Sequence, residues 1–496
     1  MNTTGFEQYQ LSGEIQKALA GLEYQIPTQV QERVIPVALT KKDLIVRSQT
    51  GSGKTAAYAI PVCESVDWLE NKPQALILAP TRELAVQVNE DFTQIGRFKR
   101  IKAAALYGGH RFSIEKTELK QKTHIVTGTP GRVLDHIEKG TLSLDRICFL
   151  IIDEADRMLE MGFMDQVEAI IRELPDTRVS MLFSATMPDK ILNLAQNDLK
   201  DPIFIDISQS NSMTSDITHF CYRIEEEDKF KLFADVAVIE NPERCILFCN
   251  TKDQVDLVYK QLLQSKIPCI KIHGGMEQDQ RLSAIQSFKK GEYRYLVATD
   301  VAARGIDIDD ISLVIHYDMP LSGDTYIHRT GRTGRAGKKG KAISFVTSKQ
   351  TRYLKEIETL TGYKIQELVE PREEEIFSHK ASFLEKIKEV PQVRKTKWDE
   401  IDKEIMKLRF NGGKKKKLRA TNFVGVLSNL EGMTAEDIGI ISVQDTLTYI
   451  EILNGKGLMV LEAMKDTKVN GKQLKVMEAV EKRTPKKPMN RKRNYE

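Results

Sequence analysis

The chain has 496 residues, 41% hydrophobic, 29% charged and 7% aromatic, with a formal net charge of +4. That length exceeds what one hydrophobic core supports and predicts two or three domains, and the composition excludes a fibrous or wholly disordered chain. Residues 403–496 carry 20 Lys and Arg against 11 Asp and Glu, leaving a net −5 on the remainder, so a polyanionic partner held mainly by the C-terminal end is expected. The longest apolar runs have strand length, so no membrane span is expected, and residues 1–10 carry no secretory pattern. Cys63, Cys148, Cys221, Cys245, Cys249 and Cys269 form no CxxC pair and read as buried thiols of a reducing cytoplasm.

Short apolar runs fall at 44–47, 75–78, 124–127, 147–153 and 181–184, then at 244–249, 269–272, 295–299, 313–317 and 342–346. Runs that are apolar throughout, separated by helix-length amphipathic stretches, are how parallel sheets covered on both faces read. Two similar α/β domains in tandem follow, at 1–208 and 217–365, with the polar stretch 209–216 as a hinge. Residues 366–402 read as a charged, partly helical linker. From 403 to 480 the order is strand 405–411, helix 423–430, strand 438–443, strand 448–453, helix 458–465, strand 473–479. That βαββαβ pattern predicts a small ferredoxin-like sandwich, and residues 481–496 a basic, disordered tail.

Within the first domain Ser48-Gln49-Thr50-Gly51-Ser52-Gly53-Lys54-Thr55 follows a strand and precedes a helical stretch. Glycines let the backbone wrap a phosphate with its N–H groups, and the helix N-terminus adds positive potential. Lys54 is placed to reach the β- and γ-phosphates and Thr55 to hold Mg²⁺, although Ser48 stands where the general phosphate-loop pattern has its first glycine. Asp153-Glu154-Ala155-Asp156 closes the run at 147–152. There Asp153 is expected to bind Mg²⁺ and Glu154 to position the attacking water. Lys414, Lys415, Lys416, Lys417 and Arg419 follow the first strand of the C-terminal unit and suit phosphate contact, with Phe410 and Tyr449 as the aromatics available for base stacking.

Together these residues resemble the signature of the DEAD-box ATP-dependent RNA helicases, and further motifs follow in that family's order across residues 6–363. The resemblance implies two RecA-like domains followed by a domain of RNA-recognition-motif topology. It implies adenine recognition by Gln31 with Phe6 upstream, base stacking by Tyr24, and nucleotide contacts from Gly305 and Asp307. Thr81, Arg82, Gly108, Gly109, Thr129, Pro130 and Arg132 resemble the first-domain RNA contacts, and Arg281 and Thr299 those of the second. Ser184 and Thr186 resemble the element that couples hydrolysis to strand separation, and Arg332 and Arg335 the catalytic arginines of the second domain. Glu23 and Thr330 depart from the family's commoner residues without removing a group the chemistry needs. Residues 410–417 and 451–457 resemble markers of the DbpA-type subgroup, which implies 23S ribosomal RNA as substrate and large-subunit assembly as the process. No obligate protein partner is evident. A DNA helicase of the same architecture and an RNA clamp without useful turnover are the rival readings. Gln31 with Asp153-Glu154-Ala155-Asp156 argues against the first, and Lys54, Glu154, Arg332 and Arg335 against the second.

Overall fold

The computed structural model describes residues 5–48, 51–207, 217–300, 311–334, 339–362, 364–389 and 403–479. The hinge expected at 209–216 and the basic tail lie outside these residues, as do Gln49, Thr50, Gly305, Asp307 and Arg335. The chain forms two compact units, the larger holding two seven-stranded sheets and the smaller the C-terminal domain.

Strands β1 (Leu44–Arg47), β2 (Ala75–Leu78), β3 (Ala103–Leu106), β4 (Ile125–Gly128), β5 (Phe149–Ile152), β6 (Val179–Ser184) and β7 (Ile203–Asp206) build the first sheet. All pairings are parallel, in the order β3-β4-β2-β5-β6-β1-β7. Every residue of β2, β4, β5 and β6 is buried, which is why these strands read as unbroken apolar runs rather than alternating ones. The edge strands β3 and β7 escape that signal. Ala103-Ala104-Ala105 has little strand propensity, and both edges are only half covered. Helices α1 (Gly13–Gly21), α2 (Gln29–Leu39), α3 (Lys54–Ser65), α4 (Arg82–Ile95), α5 (Phe112–Leu119), α6 (Pro130–Glu138) and α7 (Ala155–Glu160) belong to this half of the chain. Because β5, β6 and β1 are neighbours, the loop after β1, the acids after β5 and Ser184 at the end of β6 meet at one carboxyl edge. In an open parallel sheet, that edge is where ligands bind.

The second sheet contains β8 (Ile217–Arg223), β9 (Cys245–Cys249), β10 (Cys269–Ile272), β11 (Tyr295–Thr299), β12 (Leu313–His316), β13 (Gly340–Val346) and β14 (Gln366–Glu367). Its order, β10-β11-β9-β12-β13-β8-β14, repeats the first sheet strand for strand, although no sequence repeat is visible. Cys245 and Cys249 are buried in the same cluster, as period-2 geometry requires. Residues 366–389, read as linker, are partly built onto this domain. β14 extends its edge, and the helix Glu373–Lys388 packs on the helix Lys229–Glu240 through Phe383, which is 5% exposed. That helix gives the core only Phe383 and part of Ile387, so its composition looks like that of a solvated segment.

The smaller unit has the βαββαβ order. Strands β15 (Met406–Phe410), β16 (Ile438–Val443), β17 (Thr448–Ile452) and, after the two-residue pair β18 (Lys468–Val469) and β19 (Lys472–Gln473), β20 (Val476–Glu478) form an antiparallel sheet ordered β16-β17-β15-β20. Helices Ala420–Leu427 and Gly457–Asp466 contribute Phe423, Leu427, Val460 and Met464 to a core shared with Leu408, Phe410, Ile450 and Ile452. Phe410 is therefore not a stacking platform. It is fully buried, its ring 5.2 Å from that of Phe423, because alternation along β15 turns Leu408 and Phe410 inward and Lys407 and Arg409 to the other face.

Candidate active site and nucleic-acid interface

Gly53 caps α3 with φ +90°, a conformation open to glycine, and a Cβ there would lie 2.7 Å from the Gln31 side-chain nitrogen. The two residues are in contact. Gln31 Nε2 donates to Gly53 O at 3.2 Å, its Oε1 accepts from Thr28 N at 2.8 Å, and Thr28 Oγ1 donates to Ser52 O at 2.8 Å. Gln31 thus fastens the start of α2 to the loop that opens α3. Lys54 is 7% exposed, with Nζ 3.4 Å from Ser48 O, while Thr55 in the first turn of α3 is half-buried. The Phe6 and Tyr24 rings meet edge to face, 5.8 Å apart.

Asp153 and Glu154 have opposite electrostatic settings. Asp153 is buried, which raises its pKa against the pull of Lys54; its Oδ2 accepts from Tyr58 OH at 2.9 Å. Oδ1 has no hydrogen-bond partner among the described residues. A buried carboxylate oxygen left unpaired is costly unless a cation meets it, and with the hydroxyl of Thr55, which in the first turn of α3 contacts the same Tyr58 side chain, it offers all-oxygen donors that fit Mg²⁺. Burial would raise Glu154 as well, but Arg157, then Lys54 and Arg332, outweigh it and hold the carboxyl below its ordinary value. Arg157 NH1 donates to Glu154 Oε2 at 2.8 Å. Glu154 has φ +53°, a left-handed conformation uncommon outside glycine and a sign of strain at a working position. Arg332 is buried at 4% exposure and belongs to the second domain, so its charge reaches an acid of the first.

Asp156 Oδ2 accepts from Ala185 N at 3.1 Å, Thr186 N at 2.9 Å and Thr186 Oγ1 at 3.1 Å, and Ser184 Oγ donates to Thr186 O at 2.6 Å. The acidic motif and Ser184-Ala185-Thr186 therefore form one hydrogen-bonded piece. Nothing in the sequence pattern marks Tyr58 or Arg157 as its supports; each is a buried polar side chain inside a helix, visible only once the fold pairs it. Arg329 is likewise fully buried. It donates to Asp300 Oδ2 at 2.7 Å, Asn250 Oδ1 at 2.8 Å and Asp318 O at 2.6 Å, tying together the ends of β9, β11 and β12.

An open cleft of about 480 Å³ draws on both domains, with Thr81, Arg82, Gly108, Thr129, Arg132 and Arg281 among its lining residues. Thr81 caps α4, accepting from Leu84 N at 3.2 Å. The Arg82 guanidinium lies on Gly108 and Gly109; a Cβ on Gly109, where φ is +87°, would come within 2.8 Å of it. Arg82 NH1 donates to Gln278 Oε1 at 3.3 Å, Gln278 Nε2 to Glu83 Oε1 at 2.9 Å, and Arg281 pairs with Glu83 at 3.0 Å. Pro130 begins α6 and Thr299 ends β11. Arg132, expected to face RNA, points its Nε and NH2 inward to Glu115 and to His110 O, both at 2.7 Å.

In the C-terminal domain Lys414–Lys416 form an exposed 3-10 turn, fixed by Lys414 N donating to Gln444 O and Lys415 N to Asp445 O, both at 2.8 Å. Lys416 Nζ turns back to Asn411 O at 2.8 Å, while the ammonium groups of Lys414, Lys415 and Lys417 meet no acceptor among the described residues. Arg419 is exposed beside them. Asn454 and Lys456, within the second subgroup marker, hold Asp437 at 2.8 and 2.7 Å and so have structural work. Cross-strand register puts Tyr449 opposite Arg409, with Lys407 Nζ 6.0 Å from the Tyr449 ring.

Comparison with known proteins agrees with this geometry. Residues 28–194 match the DEAD/DEAH box helicase family, 228–337 the helicase conserved C-terminal domain, and 407–478 the DbpA RNA binding domain. The chain is 58% identical over 474 residues to the ATP-dependent RNA helicase DbpA of Bacillus subtilis (strain 168), covering 96% of this chain and 99% of that one. It is 41% identical to the ATP-dependent RNA helicase CshA of Listeria monocytogenes, over 76% of this chain and 72% of the relative. Among solved structures, S. cerevisiae Dbp5 bound to RNA and ADP BeF3 superposes with a TM-score of 0.68 at 30% identity, covering 78% of this chain and 100% of that chain. Mss116p bound to ssRNA and AMP-PNP gives 0.66 at 29%, covering 77% and 82%.

Proposed function

The chain belongs to the DEAD-box ATP-dependent RNA helicases of the DbpA type, and from that premise we propose that its C-terminal domain directs it to 23S ribosomal RNA during assembly of the large ribosomal subunit in the cytoplasm. The observation that supports this targeting is the exposed lysine turn, with three ammonium groups free of described acceptors, on a domain of the DbpA RNA-binding family. Free lysines at a fixed turn suit a folded RNA whose phosphates lie at set positions.

In the core, Lys54 and the N–H groups from Gly51 to Thr55 bind the ATP phosphates at the start of α3. Asp153 and Thr55 would hold Mg²⁺, which would supply neutralisation of phosphate charge there. Glu154, kept ionised by Arg157, accepts a hydrogen bond from the attacking water and aligns it. Arg332 meets developing charge on the phosphoryl oxygens from the second domain, and Arg335 serves the same end. Asp156 passes the state of this site to Ser184 and Thr186. RNA lies along the cleft of Thr81, Arg82, Gly108, Thr129 and Arg281, held through its backbone rather than its bases.

The test is RNA-stimulated ATP turnover of the full chain at limiting RNA, comparing 23S RNA with an unrelated RNA of equal length. The expected result is half-maximal activation at a markedly lower concentration of 23S RNA. Equal activation by both contradicts the targeting and leaves the helicase assignment in place.

A further inference from the structure

Glu115 is fully buried on α5, and its two carboxylate oxygens face two different loops of the cleft. Oε1 accepts from Tyr107 N at 3.1 Å and meets His110 Nδ1 at 3.3 Å, one residue to either side of Gly108-Gly109. Oε2 accepts from Arg132 Nε at 2.7 Å and meets His136 Nε2 at 3.0 Å, both on α6, which begins at Pro130. Arg132 NH2 closes the circuit on His110 O at 2.7 Å. The His136 ring is stacked on Phe112, 4.1 Å away, and its Nδ1 meets Thr141 Oγ1 at 2.7 Å, so the imidazole has no freedom to release the carboxylate. Arg82 in turn rests on the glycine pair that Glu115 brackets.

We propose that Glu115 is a positioning residue of the RNA cleft: one buried carboxylate fixes the spacing between the Gly108-Gly109 loop and the start of α6, and with it the seat of Arg82. A fully buried carboxylate is stable only while its hydrogen bonds are made, so the loops cannot separate without a large cost. Arg132 acts through the same device, clamping the two loops from inside. The inference rests on the reading of this cleft as the RNA path of the core. Glu115 touches neither the phosphate loop nor the acids, so the ATP site is outside its reach.

The experiment uses the full chain, single-stranded oligouridylate as probe, and the variants Glu115→Ala, Glu115→Gln and Arg82→Ala. Three quantities are read: the RNA concentration for half-maximal ATPase, the turnover at saturating RNA, and the KM for ATP. Glu115→Ala is expected to raise the half-maximal RNA concentration about tenfold, while KM and saturated turnover stay within about twofold. Glu115→Gln keeps the shape and one acceptor oxygen and is expected to fall between the two, which preserves the test should the alanine variant fail to fold. A Glu115→Gln or Glu115→Ala protein with unchanged RNA dependence, or with KM and saturated turnover impaired as much as RNA dependence, overturns the proposal. Arg82→Ala separates the two levels. If it too leaves RNA dependence unchanged, the cleft reading falls along with the proposal; if it weakens RNA activation while the Glu115 variants do not, only the role of Glu115 falls.

Discussion

Tyr58, Asp153, Glu154 and Arg157 show how the fold divides labour between adjacent acids. Tyr58 OH takes one oxygen of Asp153 and leaves the other buried without a partner among the described residues, while Arg157 pairs with Oε2 of the buried Glu154. Replacing Glu154 with Gln removes one positioned acceptor at the transition state, a loss of roughly 3–4 kcal/mol or two to three orders of magnitude in turnover. ATP affinity should stay near the parent value, and single-turnover hydrolysis alongside nucleotide binding checks both; near-parental hydrolysis would remove Glu154 from its role. Tyr58→Phe leaves Asp153 Oδ2 buried without its donor. A loss of about 1–3 kcal/mol in the stability of the first domain is expected, read by denaturant unfolding. The loop glycines, Lys54 and the acid run stand out in the sequence because their spacing is local and fixed. Their supports do not: Tyr58 meets Asp153 across 95 residues, and that contact exists only after β5 is placed beside β6 and β1.

At the scale of elements, the lysine turn makes a quantitative claim. Lys416 is turned back to Asn411 O, so Lys414, Lys415 and Lys417 remain for phosphate. Changing all four lysines to Ala should weaken RNA binding and lower the slope of log affinity against log salt by about two to three units, the share of three phosphate contacts rather than four. An unchanged slope would place the RNA elsewhere on the domain. The turn after β17 gives a second prediction. Burial works against ionisation of Asp437, but Lys456, Asn454 and Thr434 together hold it well below the usual carboxylate range. A depressed folded pKa adds stability that is complete above the unfolded pKa of about 4 and fades as pH falls toward the folded value. Protection of the β17 amides in the full chain, with each exchange rate divided by the intrinsic rate at that pH, should therefore fall below about pH 4, and Asp437→Asn should show less of that pH dependence. The buried inner strands and the βαββαβ unit followed from periodicity, whereas β3, β7, β8 and β14 did not, because strands at or next to a sheet edge bury too little to carry an unbroken apolar signature. Phe410 was misassigned for a related reason. A one-residue choice of register decides which face an aromatic occupies, and only the pairing of Leu408 with Ile450 fixes it.

Across the whole molecule, two sheets of identical strand order each supply half of two sites. Arg332 of the second domain helps hold the Glu154 carboxyl of the first below its ordinary value, and Gln278 and Arg281 of the second bond to Glu83 beside Arg82. On the sites proposed above, ATP and RNA both draw on the same approach of the two domains. Whatever free energy one ligand contributes to that approach, the other gains equally. The direct measurement is the affinity of the full chain for a single-stranded RNA with and without a non-hydrolysable ATP analogue, and of the analogue with and without that RNA, in the parent and in Arg332→Ala. The account predicts that each ligand tightens the other by the same factor, about 5- to 150-fold, in the parent, and that Arg332→Ala brings the factor close to one. Independent binding of the two ligands in the parent, or an undiminished factor in Arg332→Ala, would contradict it.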